Sequence, residues 1–178
     1  MVQHVLLVTG VPGVGKTTLL RRVAEQAQQP LGGFTTEEIR TQGQRVGFRI
    51  VPLLGRGRVM AHVSLRSHAR VGHYGVDVDA IDAVAESALA LDPDVGVYVV
   101  DEIGKMECFS QRFVAAMRRL LDSDKRVVAS IARKGTGFIA EVKRRPDVEL
   151  WEVTVRNRDG LADLILKWIA ERATSAGG

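Results

Sequence analysis

Between Val5 and Arg22 the chain reads VLLVTGVPGVGKTTLLRR: a short apolar run, a glycine-rich break carrying a lysine and two threonines, then an amphipathic continuation. Gly10, Gly15, Lys16 and Thr17 fit the spacing G-x-x-x-x-G-K-[ST], directly after a predicted strand and directly before a predicted helix. Glycines allow the backbone to curl around a pyrophosphate with successive N–H groups turned inward. The helix expected to begin near Lys16 adds the positive end of its dipole. In that arrangement Lys16 reaches the β- and γ-phosphates and the Thr17 hydroxyl ligates Mg²⁺. The plainer alternative is a glycine-rich turn with an exposed lysine, and it leaves the strand–loop–helix context without a purpose.

The rest of the chain repeats that alternation. Leu19, Leu20, Val23, Ala24 and Ala27 recur at helical spacing and stop at Pro30. From Thr35 to Val63 the pattern changes: Val46, Phe48 and Ile50 alternate with Gly47 and Arg49 behind a turn-like TQGQ, which predicts an antiparallel hairpin over about 35–64. Ile81, Val84, Ala85, Ala88 and Leu89 mark a helix face with Asp77 or Asp79 as N-cap. Val95–Val100 is a second buried strand. A helix from about Phe109 to Leu121, a strand at Val127–Ile131, a short helix before Pro146, a strand near Leu150–Val155 and a helix from Leu161 complete the series. Repeated strand–helix units imply an α/β fold: a mostly parallel sheet with helices on both faces. The 178 residues are expected to form a single domain, 1–178, with no linker or internal repeat.

Composition excludes several classes. The apolar share of 46% and charged share of 26% are those of a globular protein. The net charge of +4 suits an anionic ligand, but no block of like charges reads as a nucleic-acid arm. No apolar run approaches the roughly 20 residues that span a bilayer, so no membrane association is expected. No secretory signal is evident, and the single cysteine, Cys108, fits a reducing compartment; a cytoplasmic protein is the expectation.

The second motif is VYVVDEIGKMECFS, Val97–Ser110. An apolar strand that ends in Asp101 supplies the carboxylate that holds Mg²⁺ directly or through a water. Glu102 follows, where a glutamate can orient and deprotonate an attacking water. The same residues also fit the D-x-x-G of switch-type nucleotide-binding proteins, although Lys105 stands where a water-positioning glutamine commonly follows. A third possibility is that the two acids only cap the next helix.

GVPGVGKTTL, GGFTTEEIR, VGFRIVPL, RVGHYGVD, VDEIGKMECFS and VTVRNRDGL, in this order, resemble the small nucleoside-triphosphatases of the cancer-related or THEP type, over about Val5 to Leu161. The resemblance implies a RecA-like P-loop NTPase core, a three-layer sandwich. It also implies a slow, Mg²⁺-dependent cytosolic enzyme, monomeric or weakly associating, that hydrolyses ATP, GTP, CTP and UTP to the diphosphates. Nucleotide contacts are implied at Gly10, Val11, Pro12, Gly13, Val14, Gly15, Lys16, Thr17 and Thr18, and along Val97, Tyr98, Val99, Val100, Asp101, Glu102, Ile103 and Gly104. Lys16, Asp101 and Glu102 carry the chemistry, with Thr17 and Asp101 on the metal. Cys108 departs from the leucine common at its position, a matter of packing.

Weaker candidates remain. Thr35, Thr36, Glu37 and Glu38 form either a switch-like loop near the γ-phosphate or a hairpin with solvated charges. Arg133 and Lys134 could stabilise the transferring phosphoryl group or lie in an exposed loop. Asn157 lines the base site or makes a turn. Trp151 and Trp168 are expected in the packing, and the four histidines show no metal-ligand spacing. Three classes stay open: a phosphohydrolase, a P-loop small-molecule or nucleoside kinase with Arg66 and Arg70 on a mobile segment, and a nucleotide-gated switch. No N-K-x-D guanine-reading motif occurs.

Overall fold

The computed structural model describes residues 3–174, with side chains through Glu171. Five parallel strands form its centre: β1 (Val5–Thr9), β2 (Leu31–Thr41), β7 (Val97–Ile103), β8 (Arg126–Ile131) and β9 (Val148–Glu152). They lie in the order β2-β7-β8-β1-β9. Four antiparallel strands prolong the sheet beyond β2: β3 (Gln44–Pro52), β4 (Arg58–His62), β5 (Arg70–Val71) and β6 (Tyr74–Val76), giving nine strands in the order β5-β6-β4-β3-β2-β7-β8-β1-β9. The hairpin expected over about 35–64 is the β2–β3 pair. The antiparallel wing that contains it is larger, because β5 and β6 carry it on to Val76.

The central strands are buried on both faces, which is why their sequences are continuously apolar rather than alternating. Val5 and Leu7 of β1 enter one core with α2 (Val78–Ala88), α3 (Gln111–Leu121) and α4 (Phe138–Lys143). Leu6 and Val8 enter the other, with α1 (Lys16–Gln26) and α5 (Arg158–Thr174). The result is three layers. Asp77, one of the two expected caps, accepts a hydrogen bond from the Ala80 amide at 3.0 Å and starts α2. Trp168 is buried in the α5 layer and Trp151 is partly buried against it. No helix among the described residues is long and apolar enough to cross a membrane.

Element ends shift where a local cap outweighs the apolar pattern. α3 begins at Gln111 rather than at about Phe109, because Ser110 caps it, its hydroxyl accepting from the Phe113 amide at 2.8 Å. The last helix begins at Arg158 rather than Leu161, because Asn157 organises the turn before it.

Candidate active site

β1 delivers the glycine loop to the carboxyl end of the sheet, where α1 begins. Gly15 is the residue that starts the helix, at φ 112°, in the left-handed region that a side chain would strain. It offers no capping side chain, so the first-turn amides of α1 are left for an external acceptor. The Lys16 ammonium donates to the Gly10 carbonyl at 2.9 Å and so lies across the mouth of the loop.

Two strands away, β7 ends in the acidic pair. Pairing with β8 is interrupted there: Val100 opposes Ala129 and Ile103 opposes Ile131, so Asp101 and Glu102 together face Ser130. Asp101 is 2% exposed, and both of its oxygens are engaged. Oδ1 accepts from the Ser130 hydroxyl at 2.6 Å and Oδ2 from the Thr36 hydroxyl at 2.9 Å. Two neutral donors fix a carboxylate in place without cancelling its charge. Burial pushes the Glu102 carboxyl above its ordinary range, the charge of Asp101 adds to the rise, and Lys16 opposes it. A third acid lies behind. Glu107 is 3% exposed and held well above the carboxylate range by burial and by the charge of Glu102. Gly104 separates the two: a Cβ there would stand 2.6 Å from Glu102 Oε1 and 2.8 Å from Glu107 Oε2. Next to it, burial and the Glu107 charge push the Cys108 thiol up to about 12.

These groups border one cavity of about 830 Å³, into which Pro12, Gly13, Gly15, Lys16, Thr17 and Thr18 project from the loop side and Asp101, Glu102 and Glu107 from β7 and the turn after it. A smaller depression, about 270 Å³, lies on the other flank of the loop between Gly15, Thr18, Leu19, Arg22, Arg158 and Asp159. A hydroxyl and a carboxylate, Thr17 and Asp101, border the large cavity together. That hard-oxygen donor set fits Mg²⁺.

The profile of the family described as NTPase matches residues 5–166. The chain belongs to this NTPase family. It is 38% identical over 162 residues to "Nucleoside-triphosphatase THEP1" of Thermotoga sp. (strain RQ2), covering 90% of this chain and 92% of that one. It is 37% identical to the human "Cancer-related nucleoside-triphosphatase", covering 90% of this chain and 93% of the relative. The crystal structure of THEP1 from the hyperthermophile Aquifex aeolicus superposes with a TM-score of 0.84 at 35% identity, over 93% of this chain and 98% of the other.

Several expected contacts of this NTPase fall elsewhere. Val97, Tyr98, Val99 and Val100 are at most 1% exposed and belong to the two cores, and the Tyr98 hydroxyl is spent on Ala90 and Asp92. They belong to the strand that carries Asp101 and do not border the cavity; Ile103, wholly buried, is likewise core. Gly104 is buried beside the two glutamates and does not border the cavity. Thr35, Thr36, Glu37 and Glu38 form no loop: they lie inside β2, with Thr35 buried and the other three bordering the cavity. Arg133 and Lys134 are exposed and outside it, as are Arg66 and Arg70. Arg70 is tied down by the His73 carbonyl at 2.9 Å. Asn157 is a turn residue, its amide held by Glu152 and Thr154.

Other groups at the site carried no signal in a motif. Ser130 is a fully buried hydroxyl in the apolar run VVASI, and that misfit was its only trace. Arg21 donates to the Thr36 carbonyl and lies 3.8 Å from Glu37, which ties α1 to β2. Arg158 reaches back from α5 to the Val14 carbonyl at 3.2 Å, on the outer flank of the loop. Arg40, Arg45 and Phe48 line the far end of the large cavity.

Proposed function

We propose that this chain is a Mg²⁺-dependent hydrolase that converts nucleoside triphosphates to the diphosphate and phosphate with little preference among bases. The observation that carries the reading is the meeting of Lys16 and Thr17 with Asp101 and Glu102 in one cavity, with Asp101 clamped by two hydroxyls. The loop amides, the α1 dipole and Lys16 bind the phosphates. Thr17 and Asp101 would hold Mg²⁺, which when bound would offset the negative charge of the phosphates. Glu102 aligns a water on the γ-phosphorus and accepts its proton; a carboxyl raised above its ordinary range by burial is a stronger base than an ordinary one.

Base tolerance follows from the outer flank. There the Arg158 guanidinium offers a face to stack on, and a face does not distinguish one base from another. Phosphate release measured with ATP, GTP, CTP and UTP, with Mg²⁺ and no acceptor, tests the reading. The four rates should lie within about tenfold, or 1.4 kcal/mol. Lys16→Ala should abolish release while leaving the circular dichroism spectrum unchanged. Near-normal release from that folded variant excludes the mechanism.

A further inference from the structure

Residues 39–76 hold seven arginines and no lysine, aspartate or glutamate, so all 21 acidic side chains of the chain lie outside this stretch. The stretch is the antiparallel wing, from the last residues of β2 through β6. No contiguous run collects these arginines in the sequence; the folding of four strands beyond β2 does. Arg40 and Arg45 are taken up by Glu38, at 2.7 and 3.1 Å. Arg49, Arg56, Arg58, Arg66 and Arg70 are exposed and form no ion pair among the described residues. Like charges brought together without counter-charges repel, and an anionic partner relieves the repulsion.

The wing has one covered face and one open face. Ile50, Met60, Ala61, Tyr74 and Val76 turn into the core that α2 closes. The core beneath α1 and α5 takes no residue from β3, β4, β5 or β6. Strand register then sorts the side chains. Directly opposed residues point to the same side, and neighbours along a strand to opposite sides. Arg49 precedes Ile50 and opposes Val59, which is 37% exposed, so both lie on the open face. One row further, Gly47, His62, Gly75 and Arg70 oppose one another across β3, β4, β6 and β5. Gly75 stands between buried Tyr74 and Val76, which puts this row on the open face too. From Arg49 to Arg70 is three strand spacings and two residues, about 16 Å. Between them the His62 ring lies against Gly47, where a Cβ would stand 2.8 Å from His62 Cδ2. The Ser64 hydroxyl, 2.7 Å from His62 Nδ1, holds the ring in place. Leu65 crosses Gly75, its carbonyl oxygen 2.0 Å from where a Cβ would stand, and so places the segment with Arg66 over the same face.

We propose that this open face binds single-stranded nucleic acid, with the arginines on the phosphates and the His62 ring against a base. Each guanidinium offers a planar fork that matches phosphate oxygens. A ring fixed on a sheet face is a platform for an unstacked base, and any base can use it. A duplex keeps its bases stacked and has none to give His62. An acidic protein surface, rich in carboxylates, leaves the ring without a counterpart. None of Arg49, His62, Arg66 and Arg70 borders the nucleotide cavity, so the proposal is independent of the hydrolase reading.

Fluorescence anisotropy of a labelled mixed-sequence single strand of about 20 nucleotides, titrated with the full chain, tests the proposal. Saturable binding is expected, weakening at least about tenfold between roughly 50 and 200 mM salt, as about three neutralised phosphates require. The duplex of the same sequence should bind at least about fivefold more weakly, and His62→Ala should remove that preference. Arg49→Gln with Arg70→Gln removes two phosphate contacts. Binding should weaken at least about tenfold, with circular dichroism and phosphate release unchanged. Arg119→Gln with Arg144→Gln removes the same charge from exposed positions on α3 and after α4, and should change binding less than about twofold. No anisotropy change up to about 100 μM chain at low salt overturns the proposal. So does an equal loss from the two double variants, or a duplex bound as tightly as the single strand. Binding to phosphatidylserine vesicles in place of the oligonucleotide overturns it as well. None of these outcomes bears on hydrolysis.

Discussion

Asp101 shows how a buried carboxylate is kept usable: Ser130 and Thr36 satisfy one oxygen each, and neither brings a charge that would compete with a metal. Glu102 beside it has no such clamp and rises through burial and the charge of Asp101. Replacement of Glu102 by Gln keeps the shape and removes the proposed base. Single-turnover hydrolysis should fall at least about a hundredfold. Nucleotide affinity, measured by fluorescence titration, should stay within about twofold, because Lys16, Thr17 and the loop amides are untouched. Glu107 carries a different consequence. Its carboxyl is raised in the folded protein, so the folded state binds the proton more tightly than the unfolded one. That contribution to stability is fully present below the ordinary value of 4.5 and is lost as pH rises through the folded value. The slope is at most about 1.4 kcal/mol per pH unit for one proton. In Glu107→Gln the loss of stability with rising pH should be shallower, with a net gain near neutral pH. Urea unfolding at a series of pH values, without nucleotide or metal, checks both; identical slopes in the two proteins exclude a protonated Glu107.

At the scale of elements, the turn between β7 and α3 borders the cavity through Lys105, Met106 and Glu107 and is held by one small residue. Ser110 is fully buried, accepts from the Phe113 amide at 2.8 Å as N-cap and donates to Asp82 of α2. It therefore joins two helices and ends the segment that bears Glu107. Ser110→Ala removes the cap and leaves Asp82 without its donor. A loss of about 1–2 kcal/mol in denaturant unfolding is expected. A change below about 0.3 kcal/mol would mean that water replaces the hydroxyl at no cost. The sequence showed α3 through its apolar spacing, but Phe113, Met117, Leu120 and Leu121 do not reveal the cap. A cap is set by a single backbone turn. Likewise Thr36 and Glu38 read equally well as loop or strand until β3 and β7 pair on either side of β2.

Across the whole molecule, two kinds of sheet meet in one strand. β2 pairs in parallel with β7 over Leu31–Phe34 and antiparallel with β3 from Phe34 onward, so the wing is tied to the parallel centre through β2. Gly33 sits at that junction with φ 107°, and a Cβ there would stand 1.8 Å from the Val99 carbonyl oxygen. Gly33→Ala should cost about 3 kcal/mol or more. In a chain of this size that corresponds to a fall in Tm of roughly 6–12 °C. Calorimetry gives the answer, and an unchanged Tm would show that β2 and β7 can separate there freely. What the sequence by itself determined is local: the apolar runs of the strands, the amphipathic helices, the glycine loop with Lys16 and Thr17, and an acid at the end of β7. Each is written in residues adjacent or one turn apart, where spacing and backbone preference suffice. Only the tertiary structure decided that Ser130 and Thr36 grip Asp101, 29 and 65 residues away along the chain. It alone decided that Val97–Val100 face the cores, that Arg158 flanks the glycine loop, and that Phe48, Met60 and Val71 line the same cavity as Lys16 and Asp101. Those placements depend on strand order and register, which are fixed by burying both faces of the whole sheet at once.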